Sequence, residues 1–526
     1  MAWHDNLRDP KAHDEAGFIV REFAEHNIDI GGVATEGGGV AFMYAEGHIL
    51  AREQYLGGVE GIRGIQRVQT ASRPRGVLDV LEDHGVVNVE VRRVVRDIVL
   101  LRLNPNRPEE TRQEDAPESN DVASEGNGGN SEGNDRPPGD NGGPAEGERP
   151  DVLFLLERID EEFGPGIATL DHVVTVAGEA IPCPATEPQE VYDPVPYPPI
   201  CPGGGDRVRI YVADTGVLAD TVARTPWLTG VSGDDDPRIA GDGTILPYAG
   251  HGTFVAGVIR SQAPEADIIV KNVFNIAGSQ LESVFVPDLY AGFGYGAEIF
   301  HLTVASPTRC NFPLLAFEAW LEDLRQHKGV VCVVAAGNNG DNAPPCWPAA
   351  FRQVVSVGAL GTDWRSRAYF SNFGGWVDVY APGQNLVNAF ATGPYVCQIA
   401  PFAGEVRHFS GMAQWSGTSF STPIVTGLIA ARMARYGESG QEAAAALLAK
   451  ARAQTIPGLG PVLLPCCDDD DQRHGGRCGH GCGDRGCHGG DHGCHGGHGG
   501  DHGCHGGHGG GHGCGCGGHD GGHGRH

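Results

Sequence analysis

Between residues 206 and 453, short apolar runs rich in β-branched residues alternate with segments of helix length. The runs fall at 208–213, 268–273, 298–304, 330–336 and 354–357. A strand with one wet face alternates apolar with polar residues. These runs are apolar nearly throughout, which demands cover on both faces. The pattern predicts an α/β domain, a three-layer α/β/α arrangement around a mostly parallel central sheet. Residues 424–433 read as an apolar helix, and the Ala-rich stretch 443–453 as the helix that closes the domain.

The flanks read differently. Residues 1–104 look like a small globular α+β region, with a strand-like mixture at 39–56, a short helix at 76–84 and Val- and Arg-rich strands at 87–103. Residues 105–150 carry 12 acids against 4 bases, a net −8, and almost no large apolar side chain. Such a stretch cannot bury enough surface to offset chain entropy and is expected to be an acidic disordered linker. A second part of the N-terminal region follows at 151–205, with strand candidates at 152–158 and 171–177. It ends in a Pro-rich linker at 184–205 that closes on Pro-Gly-Gly-Gly. Residues 454–526 form a hinge and a low-complexity tail, expected to be disordered, in which the decad GGDHGCHGGH of 489–498 recurs unchanged at 499–508.

Charge excludes several classes. The 38 Lys and Arg stand against 67 Asp and Glu, a formal net charge of −29. A nucleic-acid binder needs cations to displace phosphate counterions, and an anionic membrane would repel this chain. No nucleic-acid or membrane partner is expected. No apolar run reaches the roughly 18 residues of a transmembrane helix. The first ten residues contain no apolar signal core, so a cytoplasmic location is expected; the alternative is secretion by a route the sequence does not display. The thiols at Cys183, Cys201, Cys310, Cys332, Cys346 and Cys397 fit a reducing compartment better than a disulfide framework.

Three short motifs lie inside the α/β domain. Tyr211-Val-Ala-Asp-Thr-Gly-Val217 sets Asp214 at the exit of an apolar strand, where an acid is costly without a hydrogen-bond partner. Gly250-His-Gly-Thr-Phe-Val-Ala-Gly-Val258 sets His251 among small residues at a helix start. Trp415-Ser-Gly-Thr-Ser-Phe-Ser-Thr-Pro423 sets Ser419 at the positive end of a buried helix. Each alone has a plain structural explanation: a turn exit, a core or capping histidine, a helix cap.

Together, in the order Asp, His, Ser, they resemble the subtilisin-like serine proteases over residues 206–453. Two more pieces carry the resemblance. Val333-Val-Ala-Ala-Gly-Asn-Asn-Gly340 is similar to the strand exit bearing the family's oxyanion-hole Asn, here Asn338. Tyr369-Phe-Ser-Asn-Phe-Gly and Val377-Asp-Val-Tyr-Ala-Pro-Gly383 are similar to the segments before the nucleophile. The resemblance implies a serine endopeptidase acting on polypeptides without a catalytic cofactor. In it Ser419 is nucleophile, His251 general base, Asp214 the orienting acid, and Asn338 an oxyanion donor. It further implies peptide binding along Thr303, Val304 and Ala305 and beside Gly337. Here the chain departs from the family: His301-Leu-Thr-Val-Ala-Ser306 has Ala305 and Ser306 where Gly is usual, which predicts less room for bulky side chains near the cleavage site. Asn275-Ile-Ala-Gly lacks the oxygen ligands of a calcium loop.

Residues 1–205 are positioned to act as an intramolecular N-terminal inhibitor, the alternative being an unrelated partner-binding domain. The tail from 466 holds 9 of the 15 Cys and 13 of the 23 His. Imidazole and thiolate favour Zn, Ni or Cu. His492, Cys494, His495, His498, His502, Cys504, His505 and His508 are the candidate ligands, expected to form weak, exchangeable sites because Gly does not preorganise them. Two rival functions stand beside the peptidase: a catalytically silent peptide-binding module, and a metal-storage or metal-sensing protein.

Overall fold

The computed structural model describes residues 10–34, 40–57, 75–86, 88–103, 151–176, 185–192, 194–340, 344–399 and 401–465. The N-terminal region is an α+β unit of helix α1 (Pro10–Ala24), strands β1 (Ile30–Ala34) and β2 (Val40–Arg52), helix α2 (Val77–Asp83), strands β3 (Val89–Val95) and β4 (Ile98–Leu103), helix α3 (Val152–Phe163) and strand β5 (Ala168–Val176). Its strands are antiparallel in the order β5-β2-β4-β3, with β1 added to β2.

Residues 152–158, expected as a strand, are the first two turns of α3. Val152, Leu155, Leu156 and Ile159 are buried along one face, the spacing of a helix rather than of a strand. The Asp151 carboxylate caps the start by accepting from the Leu153 N–H at 2.9 Å. The expected strands at 87–103 and 171–177 and the helix at 76–84 are present within a few residues. The acidic stretch 105–150 and the tail from 466 lie outside the described residues.

The α/β domain opens with β6 (Arg209–Asp214), α4 (Ala219–Arg224), β7 (Ser232–Gly233), α5 (His251–Gln262), β8 (Asp267–Asn272), β9 (Ser279–Leu281), α6 (Glu282–Asp288) and α7 (Tyr290–Tyr295). It continues through β10 (Ile299–Leu302), β11 (Val304–Ala305), α8 (Leu315–Leu324), β12 (Val331–Ala335), β13 (Val355–Leu360) and β14 (Val379–Pro382). A hairpin of β15 (Leu386–Val396) and β16 (Val406–Trp415) leads into α9 (Thr418–Tyr436) and α10 (Gly440–Ala453).

The central sheet has the order β14-β13-β12-β10-β6-β8-β7 and is parallel throughout. Successive residues of β6 point to opposite faces. Ile210 and Val212 pack in a core with Phe254 of α5, Ile424 of α9 and Ala443 of α10. Tyr211 and Ala213 pack in a second core with Phe285 of α6 and Trp320 of α8. The result is the three-layer α/β/α arrangement that the apolar runs demand.

The described part of the Pro-rich stretch, residues 185–192 and 194–205, does not run free. Gln189 pairs with Gln414 and Tyr197 with Val387, so it lies along the hairpin. Trp415 Nε1 donates to the Thr186 carbonyl at 2.6 Å, and the Tyr395 hydroxyl to the Glu187 carboxylate at 2.9 Å. Proline removes strand donors but leaves carbonyls, and a composition that reads as a linker is compatible with a docked strap.

Candidate active site

Asp214 is the last residue of β6, at the C-terminal edge of the parallel sheet, where side chains are held by strands yet face an open end. It is fully buried. Three donors surround its carboxylate: His251 Nδ1 at 2.7 Å and the Thr215 N–H at 2.7 Å on Oδ1, and the Thr303 hydroxyl at 2.6 Å on Oδ2. Burial pushes this carboxyl up, but the His251 charge and the three hydrogen bonds outweigh it and hold it below the usual range.

His251 is the first residue of α5. The helix comes this close to the acid because residue 252 is glycine: a Cβ there would lie 2.4 Å from the Gly216 carbonyl oxygen. The helix start is pinned further. The Thr215 hydroxyl accepts from the Gly252 N–H at 3.0 Å and donates to Asp236, whose carboxylate accepts from the Gly250 N–H at 2.7 Å. The imidazole packs between Trp415 and Phe420, ring centroids at 5.6 and 5.2 Å. With Nδ1 committed to Asp214, its Nε2 has no hydrogen-bond partner.

Ser419 sits in the first turn of α9, whose N–H groups lack intrahelical acceptors. Its Oγ is buried and unpartnered. Asn338 follows β12 on the loop that passes this helix start. Its side-chain oxygen accepts from the Thr418 N–H at 2.9 Å and the Thr418 hydroxyl at 3.0 Å. That fixes the amide orientation and leaves Nδ2 as a buried donor without an acceptor. Gly337 has φ +98°, and its N–H donates to the Thr418 hydroxyl at 3.1 Å. A Cβ at Gly337 would lie 2.6 Å from Asn372 Nδ2, so the loop needs glycine for conformation and for space. Native interiors pair most of their polar atoms; unpaired atoms occur elsewhere among the described residues as well, but His251, Ser419 and Asn338 each carry one in this part of the fold.

Beside Thr303, β9 and β11 form the two walls of a groove, and an extended chain already lies between them. β5 pairs antiparallel with β11, Val304 opposite Val176 and Ala305 opposite Thr175. On its other edge β5 pairs antiparallel with β9, Thr175 opposite Ser279. The Val176 N–H donates to the Gly278 carbonyl at 2.9 Å, and the Ser306 hydroxyl to the Val173 carbonyl at 2.9 Å. Ala305 and Ser306, the departures from glycine, therefore do not bar an extended backbone; the serine adds a bond to it. β9 escaped the sequence reading, and Ser306, expected there only to add bulk, also donates to the Val173 carbonyl. Three residues after a Gly turn carry no periodicity, so the expected edge at Thr303–Ala305 gave no sign of its second wall.

The metal candidates of the tail, His492 to His508, lie outside the described residues. Among the described residues no group of three or more His, Cys, Asp or Glu is disposed to hold a metal ion. Nor is any described helix long and apolar enough to cross a membrane.

The Asp214–His251 pair thus lies at the sheet edge, and Ser419 stands at the start of α9 next to Phe420, whose ring packs on His251. The model of the subtilase family matches residues 205–481, more than half of the chain, and the chain belongs to that family. It is similar to "Intracellular serine protease" of Paenibacillus polymyxa, 32% identical over 244 residues that cover 43% of this chain and 66% of that protein. It is also similar to "Alkaline proteinase" of Hapsidospora chrysogena, 29% identical over 269 residues, 49% of this chain and 60% of that one. The chain thus spans less than two thirds of the length of these curated relatives. One solved structure, described as a cold adapted subtilisin-like serine proteinase, is 24% identical with a TM-score of 0.37, covering 50% of this chain and 89% of that chain.

Proposed function

We propose that the chain is a serine endopeptidase and that Asp214, His251 and Ser419 are its triad. The observation that carries this reading is a buried histidine whose Nδ1 is held by the Asp214 carboxylate at 2.7 Å and whose Nε2 is unpartnered, packed on Phe420 beside Ser419, with Asn338 bound to the same helix start through Thr418. His251 Nε2 takes the proton as Ser419 Oγ attacks the scissile carbonyl carbon. The resulting oxyanion accepts from Asn338 Nδ2 and the Ser419 N–H. His251 then protonates the leaving amine, and water hydrolyses the acyl-enzyme by the same proton path. Loss of the Asn donor lowers turnover about 10²–10³-fold, a magnitude known from subtilisin rather than worked from this chain.

The N-terminal region acts as the intramolecular inhibitor. Occupation of the groove by Val173–Val176 supports this, as does the full burial of His251 and Ser419 in the intact chain. Self-cleavage falls after Val176 and before Thr186, upstream of the strap docked on the hairpin and not within it. The test is the intact mass and N-terminal sequence of the purified wild type beside Ser419→Ala. The wild type loses its N-terminal region and the variant stays whole; an intact, fully active wild type would favour a partner-binding domain instead.

Action inside the cell is supported by the intracellular relative and by free thiols at Cys310, Cys332 and Cys397. Binding of Zn, Ni or Cu by the tail is supported by its His and Cys composition alone.

A further inference from the structure

Arg238 is the most deeply buried cation of the α/β domain, with no exposed surface, and it lies on the loop between β7 and α5. A buried guanidinium is tolerated only where acceptors surround it. Here they come from three separate chain segments and satisfy both Nη atoms, leaving Nε unpartnered. Nη1 donates to the Asp236 carboxylate at 2.9 Å and the Thr215 carbonyl at 3.2 Å. Nη2 donates to the carbonyls of Phe274 at 2.9 Å and Asn275 at 2.5 Å. The Asn272 side-chain oxygen lies 3.4 Å from Nη1 and 3.5 Å from Nη2.

Two of those segments belong to the acid–base pair. Thr215 follows Asp214, and Asp236 holds the Gly250 N–H just before His251. The third leads to the groove. Asn275 starts a tight turn: the Gly278 N–H donates to the Asn275 carbonyl at 3.0 Å, and the Ser279 N–H and hydroxyl donate to the Asn275 side chain at 3.1 and 3.0 Å. That turn presents the Gly278 carbonyl, which receives the Val176 N–H, and then becomes β9.

We propose that Arg238 is a positioning residue: its guanidinium fixes the peptide-receiving turn 275–278 and strand β9 against the Asp214–His251 pair. A chain seated between β9 and β11 then meets the nucleophile in register. A planar fork suits this task because it reaches carbonyls on two sides at once, which an ammonium point charge cannot do. The inference rests on the peptidase reading and deepens it to substrate alignment.

The test uses the full chain with Arg238→Lys and with Arg238→Met combined with Asp236→Asn, which leaves no unpaired buried charge. Two substrates are compared on processed enzyme: an activated ester of a single acylated residue, and a peptide amide with four residues before the scissile bond. Loss of alignment of a backbone hydrogen bond predicts that kcat/KM for the peptide falls about tenfold more than for the ester, through KM. An equal fall for both substrates, or an unchanged ratio, overturns the proposal. Arg238→Lys retains a cation for Asp236 and decides the matter if the double variant does not fold. A second readout needs no activity. In a Ser419→Ala background, Arg238→Lys should speed hydrogen exchange of the Val176 amide about tenfold while amides joining β2 to β4 keep their protection. Unchanged exchange at Val176 sinks the positioning role even if no substrate is ever cleaved, whereas an inactive wild type with the expected exchange shift sinks only the peptidase reading.

Discussion

Thr303→Val separates the acid's electrostatic support from the geometry of the groove. Thr303 stands between β10 and β11, and its hydroxyl is the partner of Asp214 Oδ2 at 2.6 Å. Valine keeps the branched shape and removes the donor, leaving one oxygen of a fully buried carboxylate bare. A hydrogen bond to a charged group is worth about 1.5–3 kcal/mol, which corresponds to about 10- to 150-fold if the loss is felt when His251 becomes cationic. The expected result is a fall of that size in kcat on the short ester, with KM changed little because the Thr303 backbone is intact. Thr303→Ser retains the donor and restores most of the rate. The assay is steady-state hydrolysis by processed enzyme, with folding checked by denaturant midpoint. A Thr303→Val enzyme within about twofold of wild type, or a serine variant as poor as valine, would refute the reasoning.

Other outcomes follow from the same contacts. His172 is buried in β5 and accepts from the Arg309 N–H at 3.1 Å through Nε2; burial pushes its pKa from 6.5 down to about 4. The unfolded chain therefore binds this proton first, and about 3 kcal/mol of stability present above pH 6.5 is lost as pH falls toward 4. Denaturant midpoints of Ser419→Ala across that range should slope more steeply than those of the same protein carrying His172→Gln. Gly252→Ala forces a Cβ to 2.4 Å from the Gly216 carbonyl, so α5 must shift; a loss of about 1–3 kcal/mol and of most activity is expected by thermal melt and ester assay. Deleting residues 466–526 should leave hydrolysis intact, while zinc titration of that segment under reducing conditions should weaken as pH drops through about 6.5.

The parts of the fold that were legible in the sequence share a physical cause. Buried parallel strands must be apolar on both faces, so 208–213 and 330–336 declared themselves. The motif around His251 was legible because Gly252 is needed for contact between helix and turn. The helix at 152–163 was misread as a strand because the run Val152–Leu156 is apolar at every position. Its cap at Asp151 and the buried Ile159 one turn on carried the better signal. The strap on the β15–β16 hairpin and the three-way pairing of β5 depend on partners more than a hundred residues distant, and no local pattern encodes them. Arg238 was illegible for a related reason. Arginine usually faces water, and only the convergence of Thr215, Asp236, Phe274 and Asn275 makes its burial favourable.

The central claim is that Ser419 is the nucleophile activated by His251. The most direct measurement is covalent labelling of the processed protein by a fluorophosphonate, with the adduct located by peptide mass mapping. One adduct on Ser419, absent from Ser419→Ala and slowed by orders of magnitude in His251→Ala, is the result the account predicts. Peptide hydrolysis that persists in Ser419→Ala, or a label that settles on another residue, would contradict it.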